Sequence, residues 1–151
     1  MKKLFLMVLA SAAIISCSSD DDGPSNNGNI QARWNPIKTT VKVGSSNTIT
    51  QNYEGNEPGC SKDYIEFAGG GVLNRVAYFR DGDDVCQASP ASTVANWSKT
   101  DDMVTITGDA NYAGTYEITR LTNSELRLEE TDNTGGIATV TTIYFEKASA
   151  N

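Results

Sequence analysis

MVTITGDANYAGTYEITRLTNSELRLEE, residues 103–130, is the stretch that decides the fold, because apolar side chains occupy every second position in each of its three parts. Leu126 and Leu128, for example, lie on either side of Arg127. A period of two is typical of a β-strand that buries one face and leaves the other in water. Polar turn residues at 122–124 separate two of the runs. The stretch therefore predicts three sequential antiparallel strands.

The chain from Trp34 onward carries the same kind of signal. Short runs rich in Val, Ile, Thr, Tyr and Phe alternate with clusters of Gly, Asn and Asp, and no long helical stripe occurs. Since closing a sheet on itself removes its open edges, we expect an all-β fold, an antiparallel up-and-down β-barrel of about eight strands. A two-sheet sandwich is the alternative. The candidate strands are 37–43, 47–53, 63–67, 72–79, 94–98, 103–107, 112–120, 124–130 and 138–147.

The start of the chain has the pattern of a secretory signal. Two lysines precede an apolar run, residues 4–15, which is shorter than the roughly 20 residues that a membrane-spanning helix needs. Ile14-Ile15-Ser16-Cys17 resembles the lipobox of bacterial lipoproteins, in which the cysteine is acylated and the preceding peptide is removed. We therefore predict a lipoprotein signal peptide over 1–16 and lipidation of Cys17.

Residues 18–32 are small, polar and acidic, with almost nothing to bury. We interpret 17–32 as a lipidated flexible tether and 33–151 as one barrel domain. The run Asp20-Asp21-Asp22 has two interpretations, a solvated spacer or a signal resembling the one that sends Bacteroidetes lipoproteins to the outer face of the outer membrane. With either interpretation we expect a cell-envelope protein, anchored to the outer membrane through its lipid.

Charge and the absence of histidine exclude several function classes. The chain has 12 Lys plus Arg against 19 Asp plus Glu, and losing the two lysines of the signal peptide lowers the formal charge from −7 to −9. Such an acidic protein does not attract nucleic acid. Without histidine, no mechanism can use imidazole as a base or zinc ligand. A carboxylate hydrolase built on Glu117 and Glu129 is also disfavoured, because both alternate with apolar residues and face water. We therefore expect no enzyme.

Cys60 and Cys86 remain once Cys17 is assigned to the lipid. An even number of cysteines in an exported protein favours a disulfide, which would stabilise the fold by roughly 3–4 kcal/mol. The alternative is two separately buried thiols. The two cysteines lack the CxxC spacing of a redox or metal site.

Four aromatic residues on predicted strands are candidates for ligand binding or for core packing. Such side chains more often fill a small barrel than line a pocket. They are Phe67, Tyr78, Trp97 and Tyr116.

The acidic loop with Asp81, Asp83 and Asp84 offers oxygen ligands of the kind that calcium prefers. It lacks the glycine and the distal glutamate of an EF-hand, so a solvated turn is the expectation. We expect neither a metal nor a cofactor.

Several short motifs follow one another along the chain. In order, they are Trp34, Cys60 with Asp63 and Ile65-Glu66-Phe67, Cys86, Trp97-Ser98 before Val104 and Ile106, Tyr116-Glu117-Ile118, Leu121-Thr122 with Leu126, and Tyr144-Phe145-Glu146-Lys147. Their order resembles that of the lipocalin-like domain of small Bacteroidetes lipoproteins, over nearly the whole mature domain. The resemblance implies a ligand-binding barrel without naming a ligand.

Two hypotheses for function follow. In the first, the barrel binds a small apolar or amphipathic molecule, or a glycan fragment, in its mouth. In the second, the barrel core is filled and the protein is a surface interaction or scaffolding protein whose loops contact a partner. In both, the membrane is reached through the lipid, nucleic acid is not a partner, and the protein is a monomer.

Overall fold

The computed structural model describes residues 26, 28–90 and 94–149, and in them every regular element is a β-strand or a single 3₁₀ turn. The strands are β1 Arg33–Val43, β2 Ile49–Asn52, β3 Tyr64–Phe67, β4 Val72–Arg80, β5 Cys86–Pro90, β6 Ala95–Thr100, β7 Met103–Thr107, β8 Gly114–Leu121, β9 Glu125–Asp132 and β10 Thr139–Lys147. The 3₁₀ turns are Gly69–Gly71 and Thr134–Gly136. No helix in this part of the chain is long and apolar enough to cross a membrane.

The sheet closes because β1 pairs with β10 along its whole length. Their antiparallel register runs from Trp34 opposite Lys147 to Val43 opposite Thr139. Within the described residues, eight strands complete the ring in the order β1, β3, β4, β6, β7, β8, β9 and β10, while β2 pairs only with β1 and β5 only with β4. The predicted all-β, antiparallel up-and-down barrel of eight strands is confirmed, and the sandwich alternative is wrong.

Most strand limits differ from the sequence expectations by one or two residues, and two differences are larger. Strand β1 begins at Arg33 rather than at 37, because the Trp34 side chain is fully buried and belongs to the sheet. Strand β5 was not predicted, since CQASP carries few β-branched or aromatic residues. It forms because the β4 backbone, from Val76 to Arg80, pairs with it.

The core fills the end of the barrel at which β1 begins and β10 ends, which we call the lower end. The opposite end is the upper end. The alternation read from the sequence places the core residues, since Val104, Leu126 and Leu128 have no exposed surface. Each fully buried side chain of this kind contributes about 1.5–3 kcal/mol. The largest fully buried side chains are Trp34, Phe67, Phe145, Ile65, Ile106, Ile118, Leu126, Leu128 and Val104.

Residues 28–32, which we call the plug segment, seal the lower end. Ile30 is 4% exposed and belongs to the core. The Trp34 Nε1–H donates to the Ile30 carbonyl at 2.9 Å, and the Gly28 N–H donates to the Leu121 carbonyl at 3.0 Å. A Cβ on Gly28 would lie 2.4 Å from the Thr122 oxygen, so this close approach requires glycine. The flexible tether predicted up to residue 32 is therefore wrong for 28–32, because the apolar Ile30 was overlooked among polar neighbours.

The predicted signal peptide 1–16 and the predicted lipid site Cys17 lie outside the described residues. Both stay predictions.

A disulfide joins Cys60 to Cys86, whose Cα atoms are 5.6 Å apart. It ties the loop before β3 to the first residue of β5. Closing a loop of this size restricts the unfolded chain and contributes about 3–4 kcal/mol. The alternative of two separate buried thiols is not what the structure contains.

Trp34 tests whether the lower end is packed as described. We expect Trp34→Ala to lower the free energy of unfolding by about 3–5 kcal/mol, because it leaves a large cavity in the core. Trp34→Phe keeps most of the apolar volume but leaves the Ile30 carbonyl without its donor, so we expect a smaller loss of about 1–3 kcal/mol. Urea unfolding measures both. A Trp34→Ala protein that unfolds at the urea concentration of the parent would contradict this packing.

Candidate functional site

A cavity of about 690 Å³ opens at the upper end of the barrel. Its wall comes from β1, β8, β9 and β10, from the chain around and after the end of β2, and from the loop before β8. The lining residues are Pro36, Lys38, Thr39, Gln51, Asn52, Tyr53, Glu54, Gly55, Asn111, Tyr112, Ala113, Tyr116, Glu130, Thr141 and Ile143. We call it the upper cavity.

The cavity exists because inward-facing side chains become smaller and more polar from the lower to the upper end. On β9 and β10 the register pairs inward residues in layers, Leu126 with Phe145, Leu128 with Ile143 and Glu130 with Thr141. The first two layers are buried, whereas Glu130 is exposed and Thr141 is half-buried. An eight-stranded barrel is just wide enough for side chains to fill it, so short or polar residues in the upper layer leave space.

Two buried tyrosines form the floor of the upper cavity. The Tyr116 hydroxyl donates to the Tyr112 carbonyl at 3.1 Å. The Tyr112 ring lies 5.9 Å, centroid to centroid, from the Phe145 ring of the core below. The floor therefore rests directly on the packed lower half of the barrel.

Asp109 holds the loop that carries Tyr112. Its carboxylate is 1% exposed, and Oδ2 accepts a hydrogen bond from the Arg75 Nε at 3.0 Å. Oδ1 accepts the backbone N–H groups of Asn111 at 2.8 Å and Tyr112 at 3.0 Å. A buried carboxylate is tolerated only when it is paired and hydrogen-bonded, and this one is.

Asp63 holds the rim of the cavity in the same way. Its Oδ2 accepts the Tyr53 hydroxyl at 2.6 Å, and its Oδ1 accepts the Tyr78 backbone N–H at 2.7 Å. The Asp63 carbonyl accepts the Asn35 side-chain amide at 2.7 Å. Asp63 is 4% exposed, and in the described part of the chain it forms no ion pair. Its hydrogen bonds fix the chain after β2 against β3, and so place Tyr53 at the cavity.

The three cavity tyrosines keep their protons at neutral pH. Burial, with the nearby Asp109 charge, raises the pKa of Tyr112 to about 12. Burial also raises the pKa of Tyr116, and the Glu130 and Asp109 charges add to the effect. Burial and the hydrogen bond to Asp63 raise the pKa of Tyr53. All three are therefore neutral where they line the cavity.

The four aromatic candidates from the sequence do not come together. Only Tyr116 lines the upper cavity. Phe67 packs edge-on against Trp97 near the lower end, with ring centroids 5.3 Å apart, and the Trp97 Nε1–H donates to the Ala68 carbonyl at 2.9 Å. Tyr78 lies on the outer wall. Phe67 and Trp97 therefore pack in and against the core, which was the alternative to ligand binding for these residues.

Sequence reasoning missed most of the residues that line the cavity, among them Tyr53, Tyr112 and Glu130. Glu130 could have been found, because it continues the inward period of Leu126 and Leu128. Tyr112 was included in a predicted strand, yet it lies in the loop held by Asp109. No pattern in the sequence around Tyr53 indicated a role in the cavity. Its position depends on a hydrogen bond to Asp63, which lies in the loop before β3.

A second depression, of about 850 Å³, lies on the outer wall near the lower end. It contains Tyr64 and Tyr78, whose ring centroids are 6.5 Å apart, and burial raises the pKa of Tyr64. Its basic residues Arg33 and Lys62 already form ion pairs with carboxylates on the surface. It is larger than the upper cavity and about as open, and two of its three basic residues are already paired with carboxylates.

The acidic loop is a turn in which the Asp81 and Asp84 carboxylates find their partners close by. The Asp81 carboxylate accepts the backbone N–H groups of Asp83 and Val85 and the Gln87 side-chain amide, and these hydrogen bonds, led by that from Val85, lower the pKa of Asp81. Asp84 pairs with Arg80 at 3.0 Å. Over the described ranges, no group of three or more Cys, Asp or Glu side chains is placed to hold a metal ion.

Glu117 and Glu129 face each other across β8 and β9 on the outer wall, where the sequence pattern predicts them. The Glu129 Oε2 accepts the Thr142 hydroxyl at 3.0 Å. Neither carboxylate lines the upper cavity.

Comparison with known proteins adds one likeness. No family model matches the chain, and no curated protein matches it. A solved structure of apocrustacyanin C1 is similar at 15% identity and a TM-score of 0.45, covering 81% of this chain. The chain spans 62% of the length of that protein's chain. The likeness is too low to carry an argument about function.

Asp109 tests the electrostatic support beneath the floor. We expect Asp109→Ala to lower the free energy of unfolding by about 2–4 kcal/mol, because it leaves Arg75 and two backbone N–H groups without their partner. Asp109→Asn keeps a side-chain oxygen that can accept the two backbone N–H groups, so it should lower the free energy of unfolding by less. The control is Asp84→Asn, which breaks an ion pair whose carboxylate is 84% exposed and should cost at most about 1 kcal/mol. Equal urea midpoints for Asp109→Ala and Asp84→Asn would refute the role given to Asp109.

Proposed function

We propose that this protein is a lipid-anchored, non-enzymatic binding protein of the cell envelope that holds a small ligand in the upper cavity. The observation that carries the proposal is the open cavity of about 690 Å³ above a solid floor. Ligand sites usually occupy clefts of about 300–1,000 Å³, lined by apolar and aromatic groups with a few polar groups that orient the ligand. The rings of Tyr112 and Tyr116 and the side chain of Ile143 supply the apolar part, and Asn111 and Gln51 supply polar groups.

The cavity favours a ligand over the alternative of a scaffolding protein with a filled barrel. A filled barrel would continue the large apolar layers of Leu126 and Leu128 to the upper end, whereas the next layer holds Glu130 and Thr141. The buried charges support the same proposal. Asp63 and Asp109 hold the loops around the cavity in place, so the site is formed before a ligand arrives.

The lipid anchor is supported by the lipobox-like residues that end in Cys17. Ten residues, 18–27, connect it to the plug segment, and a chain of that length reaches at most about 35 Å. Because the plug segment seals the lower end, an anchor at Cys17 joins the barrel at its closed end. The cavity then opens at the end opposite to the attachment, in a monomer of the outer membrane.

The absence of enzymatic activity is also part of the proposal. The chain has no histidine. The two buried carboxylates, Asp63 and Asp109, already accept hydrogen bonds that hold loops in place, so neither is free to act as a base.

Blocking the cavity tests ligand binding. We expect Thr141→Trp to fill the upper layer and to weaken binding of a neutral amphipathic probe, Nile red or octanol, at least tenfold. The matched control is Thr131→Trp, because Thr131 is exposed on the neighbouring strand and does not line the cavity. Fluorescence titration and calorimetry measure the affinities. Equal binding by both variants, or no binding by the parent, would rule the cavity out as a site for such ligands.

Substituting the anchor cysteine tests the location. In a bacterial host, we expect the parent to fractionate with membranes and to lack residues 1–16 by intact mass. Cys17→Ala should lose the added mass of the acyl chains and leave the membrane fraction, because stable anchoring needs those chains. A parent protein found without acyl mass in the soluble fraction would contradict the anchor.

A further inference from the structure

The lining of the upper cavity carries more acidic than basic side chains. Glu54 and Glu130 line it, and neither carboxylate forms an ion pair in the described part of the chain. Lys38 is the single basic residue of the lining. Its Nζ lies 4.7 Å from the centroid of the Tyr144 ring, which belongs to the outer wall and does not line the cavity. The lysine charge is therefore directed away from the site.

Two buried carboxylates lie close to the cavity, Asp63 near the rim and Asp109 beneath the floor. Arg75 compensates Asp109 at 3.0 Å, whereas Asp63 is held by hydrogen bonds alone. Burial is the main cause of the raised pKa of Tyr116, and the Glu130 and Asp109 charges add to it. The uncompensated negative charge therefore lies at the rim of the cavity, on Glu54, Glu130 and the nearby Asp63.

The tyrosine rings of the floor add a second source of attraction for positive charge. An ammonium group over the face of a tyrosine ring is attracted by the ring's quadrupole, most strongly where water is excluded. Tyr112 and Tyr116 line the cavity but are only 9% and 5% exposed, so a ligand would meet a small part of each ring, at a place largely shielded from water. Carboxylates above such rings are a combination that suits an organic cation.

We propose that the upper cavity selects a small organic cation, an amine or a quaternary ammonium compound with an apolar body. The ammonium group lies between Glu130 and the tyrosine floor, with Glu54 as a second carboxylate at the rim, while the apolar body lies against Ile143. The formal charge of −9 that remains without Lys2 and Lys3 of the signal peptide adds a long-range attraction for cations. This inference rests on the proposed function, since it names the ligand class of the same cavity.

Three probes of equal chain length separate charge from apolar character: octylamine, octanol and octanoate. At neutral pH and low ionic strength, we expect the protein to bind octylamine about tenfold more tightly than octanoate, with octanol between them. Glu130→Gln should weaken octylamine binding by roughly two- to fivefold and leave octanol unchanged, as expected for a partly exposed ion pair. High salt should reduce the preference in the parent.

Glu129→Gln is the matched control, because Glu129 is adjacent in sequence but lies on the outer wall. It removes the same charge and should retain the parent's preference. Calorimetry gives the affinities, and thermal unfolding shows that both variants fold.

The outcomes separate this inference from the function on which it rests. Equal binding of octylamine, octanol and octanoate, or equal effects of Glu130→Gln and Glu129→Gln, would overturn the cation preference while leaving a neutral-ligand cavity in place. Failure of every probe, with Thr141→Trp indistinguishable from Thr131→Trp, would overturn the binding function as well.

Discussion

The antiparallel pairing of β1 with β10 is the constraint on which the rest of the structure depends. It runs from Trp34 opposite Lys147 to Val43 opposite Thr139 and turns an open sheet into a closed ring. Closure removes the edges of the ring and fixes the width of the interior. What occupies the interior then depends only on the size and polarity of the side chains that point inward.

Those inward side chains give the barrel two different ends. At the lower end Trp34 and Ile30 complete a solid core, and the plug segment joins the barrel at this end. At the upper end Glu130 and Thr141 leave space above the tyrosine floor. The polar interactions around that space hold loops in place, so stability and the proposed ligand binding would use different groups in the same barrel.

Sequence reasoning recovered what local periodicity determines. Strand β7 was predicted with its observed limits, 103–107, because Val104 and Ile106 alternate with residues that face outward. Long-range interactions determine what was missed. Strand β5 follows from the β4 backbone beside it, and the burial of Ile30 follows from the open lower end that it seals. Tyr53 reaches the cavity through its hydrogen bond to Asp63, which no pattern within its own segment indicates.

Amide hydrogen exchange tests the closed barrel most directly. If β1 and β10 close the ring, their paired amide protons should exchange only through global unfolding and rank among the slowest in the chain. Those of β2 and β5, each paired along one edge only, should exchange faster by local opening. Exchange of the β1 and β10 amide protons as fast as that of β2 and β5 would contradict closure, and with it the interior described above.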